Sequence, residues 1–298
     1  MFERRKKKEK QRENIEEQEK IEDGFISVYN VELLYEQMPN FSIESLLKRL
    51  KERCGNVEVL TESKDNDLIS FIFHDYLVEY KDNKKLPAQC IIAKANKQME
   101  VQSFESSIQQ SWEWREAEDG IKKCKYSFLV SEMMAAGLIY KDRLELFQKI
   151  LVSIIEEFPC TAINWTPSGQ IVNPAAYIES QKNGSKLGYL YGAVNVRFLN
   201  ISDGAENEML MDTLGLAALG IPDLQCHFID LDPGKVGSLL YNYAYYLFQN
   251  GDVIGDGHTV EGVEAGQKWT CQHEFSLVKP ERIVLDINPG NRHAAGNR

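Results

Sequence analysis

Long apolar runs are missing from this chain of 298 residues: no segment approaches the roughly eighteen consecutive apolar residues of a membrane span. The amino terminus is rich in Lys and Arg but lacks the apolar stretch of a secretory signal, so a cytosolic protein is expected. Paired cysteines are missing too. The six, Cys54, Cys90, Cys124, Cys160, Cys226 and Cys271, are spread about evenly and form no CxxC, which gives no sign of a zinc knuckle or redox motif. They read as free thiols acting as small apolar side chains. The five histidines make no HxH, HxxxH or HExxH, and no EF-hand pattern is matched. A GxSxG elbow, a GxGxxG turn and a GxxxxGK loop are all lacking, so neither a serine nucleophile nor a phosphate cradle is signalled. No short-period repeat points to a solenoid or propeller.

Positive charge is in deficit: 45 acids face 34 Lys and Arg, a net charge of -11 that disfavours nucleic acid and anionic membrane as partners. Residues 1–12 carry seven bases against two acids, and residues 13–23 carry six acids against one base, so these segments cancel and the remainder holds the whole imbalance. A stretch so charged and so poor in apolar groups predicts a disordered tail over 1–24. Its basic part, residues 4–12, is the only place where nucleic acid would bind, and a solubilising role is the plainer reading.

The remainder is a soluble composition, 43% hydrophobic and 27% charged, long enough to bury a sizeable core. Residues 25–37 read as a strand. A helix follows, capped by Ser42 and closed by Gly55, then strands over 57–60, 68–80 and 88–95. Helical spacing of Phe104, Ile108 and Trp112 predicts a helix over 104–118, with Trp114 off that stripe. A strand over 125–130, an amphipathic helix over 142–158, a strand over 161–165 and a short helix over 173–181 come next. The stretch Lys182-Asn183-Gly184-Ser185 is the best internal boundary, dividing 25–181 from 187–289, with a short tail over 290–298. Strands are expected over 191–201, 224–231, 269–277 and 281–287. The order predicts an α+β protein with a mixed or largely antiparallel sheet and helices mainly on one face. A weak echo, Leu86-Pro87-Ala88-Gln89-Cys90 against Ile221-Pro222-Asp223-Leu224-Gln225-Cys226, allows two related halves.

The chain is organised around residues 209–259. Asp232-Pro233 is a strong helix start and Asn250-Gly251 a clear stop, with Leu239, Leu240, Tyr243, Ala244 and Leu247 on one stripe and further aromatics around it. Residues 251–258 then form a glycine-spaced loop. Around this helix lie Asp212, His227, Asp230, Asp232, Asp252, Asp256 and His258. If His227 and His258 met Asp252 or Asp256, they would hold a divalent metal ion with room for a water, the basis of a metal-assisted hydrolase. The plainer uses are preferred: Asp232 as a cap, Asp252 and Asp256 as turn residues, His227 in a strand and His258 in solvent. Because a helix carboxy terminus favours cations, Asp252 and Asp256 suit a metal ion or basic group better than a phosphate. The metal-assisted hydrolase is the alternative, and the main reading needs no cofactor. Aromatic residues in many elements and an acidic surface suit protein recognition, with Trp112, Trp114, Asp212, Asp252 and Asp256 as candidate contacts for a basic partner.

The runs Leu210-Met211-Asp212-Thr213-Leu214-Gly215-Leu216, Ile221-Pro222-Asp223-Leu224-Gln225-Cys226-His227-Phe228, Ala244-Tyr245-Tyr246 and Asn250-Gly251-Asp252 through Asp256-Gly257-His258-Thr259 carry a resemblance. They resemble the bacterial domain-of-unknown-function family 4261. Gln110-Ser111-Trp112-Glu113-Trp114 and Leu190-Tyr191-Gly192-Ala193-Val194-Asn195 resemble its longer members. The resemblance spans most of 25–289 and implies a cytosolic bacterial protein without implying a catalytic residue. By analogy of type with immunity proteins, the expected role is a protein-binding module that neutralises or escorts a basic partner.

Overall fold

Alternation is clearest in the strand Lys84–Lys94, where Ala88, Cys90 and Ile92 are buried and the residues between them are more open. That strand sits in the first of two sheets in the computed structural model, which describes residues 29–63, 67–80, 84–95, 99–182, 188–202, 204–290 and 292–296. The expected charged tail and residues 183–187 lie outside the described residues, as do residues 297 and 298.

The first sheet is built from β1 (Asn30–Tyr35), β2 (Val57–Glu62), β3 (Leu68–Tyr80), β4 (Lys84–Lys94), β5 (Tyr126–Met133), β6 (Ala162–Trp165) and β7 (Gln170–Val172). Its order is β2-β3-β4-β5-β1-β6-β7, and every neighbouring pair is antiparallel. Helices α1 (Ile43–Cys54) and α4 (Tyr140–Glu157) pack on each other, tied by Arg49 to Glu157 and by Arg53 to Glu156. Shorter helices are α2 (Glu105–Gln109), α3 (Ala117–Lys123) and α5 (Pro174–Lys182). The predicted helix over 104–118 is therefore broken. It stops at Gln109, and residues 110–116 form turns, with Ser111 Oγ donating back to Ser107 O at 2.5 Å and accepting a bond from Ile171 N at 2.8 Å.

The second sheet holds β8 (Asn195–Asn200), β9 (Glu208–Leu214), β10 (Asp223–Ile229), β11 (Thr259–Glu261), β12 (Lys268–Phe275) and β13 (Ile283–Asn288), in the order β11-β12-β13-β10-β9-β8. Only β10 and β13 run parallel, and the connection between them carries α6 (Pro233–Asn250), as a parallel crossover requires. The architecture is α+β and largely antiparallel, with its strands divided between two sheets rather than gathered in one. The echoed segments occupy differently connected strands: β4 is antiparallel to both neighbours, while β10 has one parallel neighbour.

Helix α6 forms where its sequence directs. Asp232 accepts bonds from Gly234 N at 2.8 Å and Lys235 N at 3.2 Å, Pro233 opens the first turn, and Gly251 closes the last at φ 80°. Val236, Leu240, Ala244, Leu247 and Phe248 are buried against β8, β9 and β10, each large one contributing about 1.5–3 kcal/mol of transfer free energy. Its carboxy terminus is held by α4, since Tyr140 OH donates to Phe248 O at 2.9 Å and Lys141 Nζ to Gln249 O at 2.6 Å. A single cluster of buried apolar residues runs from Tyr29 and Trp165 of the first half to Phe228 and Ile287 of the second.

Candidate functional site

Of the residues singled out in the sequence, Asp212 lies deepest. It is 0% exposed on β9, where Arg197 Nε reaches Oδ1 at 2.8 Å and Arg282 Nη2 reaches Oδ2 at 2.7 Å. Arg282 Nε also donates to Asp223 at 2.9 Å, and Asp223 takes further bonds from Thr213 Oγ1 and the Leu216 N–H. Burial opposes the charge on Arg282, but the facing carboxylates outweigh it and raise its pKa. The two acids and two arginines balance, so Asp212 is a partner in a buried ion network and not a surface contact. Removing one member of such a network strands a buried charge, at a cost of about 3–5 kcal/mol. Gly215 closes this corner at φ 138°, where a side chain would meet Ala193 O at 2.0 Å.

The loop after α6 brings two predicted residues together on one the sequence did not mark. Asp256 Oδ1 accepts from His273 N at 2.7 Å and lies 2.8 Å from His273 Nδ1, while Asp252 Oδ1 lies 3.1 Å from His273 Nε2. The bond to Asp252 raises the His273 imidazole from 6.5 to about 8, with partial burial opposing and Asp256 adding to it. The bonds from His273 hold Asp256 below its ordinary value. Both carboxylates thus face the His273 imidazole of β12, whose raised pKa favours its charged form. His258 is elsewhere in its contacts: its Nδ1 accepts from Gly255 N at 3.1 Å within its own turn. His227 Nε2 lies 2.8 Å from Glu208 Oε1, and Asp230 accepts from Asn207 Nδ2 at 3.0 Å. Asp252 and Asp256 thus share His273, while His227 and His258 are each engaged elsewhere, so the four do not converge. Among the described residues no group of three or more His, Cys, Asp or Glu is arranged to hold a metal ion.

The tryptophans exchange the places that helical spacing assigned to them. Trp114 packs toward Gly120, against a patch that includes Phe104, Ile108 and Ile121. Trp112 is 52% exposed and packs at a tilt against Phe198 of β8, ring centroids 4.4 Å apart at 59°. The segment carrying both is a clasp between the two sheets. Gln110 donates to Phe198 O and accepts from Phe198 N, both at 3.1 Å, so its amide pairs with the outer edge of β8 like a strand residue. Ser111 holds the outer edge of β7 through Ile171 N. Each edge is thereby covered by this one turn.

Between the clasp and α6 opens a cleft of about 710 Å³ lined by Trp112, Glu113, Gln170, Tyr191, Phe198 and Tyr241, among others. Glu113 keeps open surface, yet its neighbours crowd the carboxyl enough for desolvation to raise its pKa, against a hydrogen bond from Tyr191. Tyr191 and Tyr241 are raised by burial first and by Glu113 second. Gly237, buried in α6, lets Phe198 and Met211 approach the helix. A second cleft adjoins the first along α6, sharing Gly234, Ser238 and Asn242 with it and lined further by Tyr243, Tyr246, Glu261 and Glu264, where Lys235 Nζ pairs with Glu264 at 2.6 Å. Sequence periodicity missed Glu113, Gln170 and His273, because each gains its meaning from strands or turns that are distant in the chain.

With this geometry in place, the chain can be compared with known proteins. Residues 212–288 match the family described as Domain of unknown function (DUF4261). The match starts at Asp212 of the ion network and ends at Asn288 of β13, so the DUF4261 stretch contains Asp223, Arg282, α6 and the His273 clamp. The clasp and Tyr191 lie before it. No curated protein and no solved structure matches the chain. Among the described residues no helix is long and apolar enough to cross a membrane.

Proposed function

We propose that this protein is an interaction module that receives a basic protein partner in the cleft between the 110–114 clasp and α6, in a neutralising or escorting role. The observation that carries this reading is Trp112, a half-exposed indole packed at a tilt against Phe198, with the carboxylate of Glu113 in the same cleft. An aromatic face next to an acid suits a cationic side chain, and large aromatics in pockets dominate binding energy at interfaces. The net charge of -11 steers basic partners toward the surface. An intracellular setting accords with the free state of the cysteines, none of which is in a disulfide among the described residues.

Titration with short arginine- and lysine-rich polypeptides, and with a glutamate-rich one as control, tests the reading. Basic chains should bind saturably, with affinity falling as salt rises. Trp112→Ala should weaken binding by about tenfold, the loss expected for an interface anchor. Equal binding of acidic and basic chains, or an unaffected Trp112→Ala protein, would remove the proposal.

A further inference from the structure

One residue lining the cleft carries a buried polar atom without a partner among the described residues. Gln170, at the start of β7, is only 6% exposed, and its Oε1 is buried with no hydrogen-bond partner among the described residues. An unpartnered buried acceptor is costly, and the cost is recovered when a donor is brought to it. The same cleft presents the carboxylate of Glu113, which accepts one bond from Tyr191 and has further lone pairs to offer. It also presents the Trp112–Phe198 platform and the rings of Tyr191 and Tyr241.

Resting on the reading of the cleft as the seat of a basic partner, we propose that it is a guanidinium site, taking one arginine side chain of that partner between Trp112 and Glu113. A guanidinium is flat, stacks on an indole, and carries five N–H donors directed outward in its plane. One edge meets the Glu113 carboxylate, and an N–H of the other edge serves Gln170 Oε1, which is buried and is reached once the Gln170 side chain turns toward the guanidinium. A lysine ammonium is a compact, strongly hydrated point charge that gains less from the aromatic face and does not spread its donors along a plane. A quaternary ammonium would suit the rings but has no donor for Gln170. The site therefore favours arginine over lysine and over methylated lysine.

The probe is the full chain labelled with nitrogen-15, titrated with Nα-acetyl-arginine amide and, separately, with Nα-acetyl-lysine amide and its trimethyl form. The indole N–H signal of Trp112, assigned by its loss in Trp112→Phe, reports occupancy. Arginine amide should shift that signal saturably, in the millimolar range expected of one side chain, and at least about tenfold more tightly than either lysine form. Glu113→Gln should weaken arginine binding by about tenfold, the loss of a charge-assisted bond. Gln170→Leu should weaken it severalfold. Glu113 keeps open surface, so its variant is the safer test should Gln170→Leu fail to fold, and unchanged thermal melting confirms that Glu113→Gln is intact. No saturable shift, equal response to lysine, or wild-type binding by Glu113→Gln would each overturn the guanidinium site. If basic polypeptides still bind in a Trp112-dependent way in those cases, only this inference fails; if they do not, the broader reading fails with it.

Discussion

At the scale of single residues, His273 is the group whose ionisation the fold exploits. Its imidazole is raised to about 8 from 6.5 by Asp252 and Asp256, the two charged groups that face it. A raised folded-state value stabilises the fold fully below about 6.5 and loses that contribution as pH climbs through 8. Its upper bound is about 2 kcal/mol, and less is expected because both carboxylates are more than a third exposed and screened by solvent. Urea unfolding of wild type and His273→Gln at pH 6 and pH 9 checks the sign. The wild type should lead clearly at pH 6, and the gap should shrink at pH 9. A gap of the same size at both would mean that neutral hydrogen bonds, and not the imidazolium, hold the loop.

At the scale of elements, the clasp over 110–114 makes a prediction of its own. The Phe198 N–H points away from β9 and donates to Gln110 Oε1, so Gln110→Ala leaves that edge amide to solvent. Hydrogen exchange should show Phe198 losing protection while the amides of β9 and β10 keep theirs. Unchanged exchange at Phe198 would show that the edge is covered by other means. The clasp was not legible in the sequence, whereas α6 was. Helix α6 is encoded locally by Asp232, Pro233 and Gly251, all within its own turns. The turn after Gln109 depends on Ile171, β7 and β8, which are 60 or more residues away, and the spacing of Phe104, Ile108 and Trp112 carried a helix straight through it. β9 escaped notice for another reason: its residues from Leu210 to Leu214 are all buried, so no alternation marks it. β7 and β11, at three residues each, are too short to show a period.

At the scale of the whole molecule, the net charge is unevenly placed along the sequence. Residues 1–23 sum to no net charge, so the -11 belongs to residues 24–298. The general acidity of the body was visible in composition, but its placement was not: Asp212 and Asp223 neutralise Arg197 and Arg282 inside the second sheet and contribute nothing outward. What remains outside includes Glu113 in the first cleft and Glu261 with Glu264 beside the second. Association with a basic chain should therefore be governed by residues 24–298. Deleting residues 1–23 should leave both the affinity for an arginine-rich peptide and its slope against salt within about twofold of the full chain, since the field that steers the partner is unchanged. Glu113→Gln in the same background should reduce affinity while barely altering that slope, because it removes one contact from a large excess of acids. If the deletion instead tightened binding severalfold, the bases of 4–12 would be competing for the cleft, and the charged segment would be an internal occupant of the site rather than a bystander.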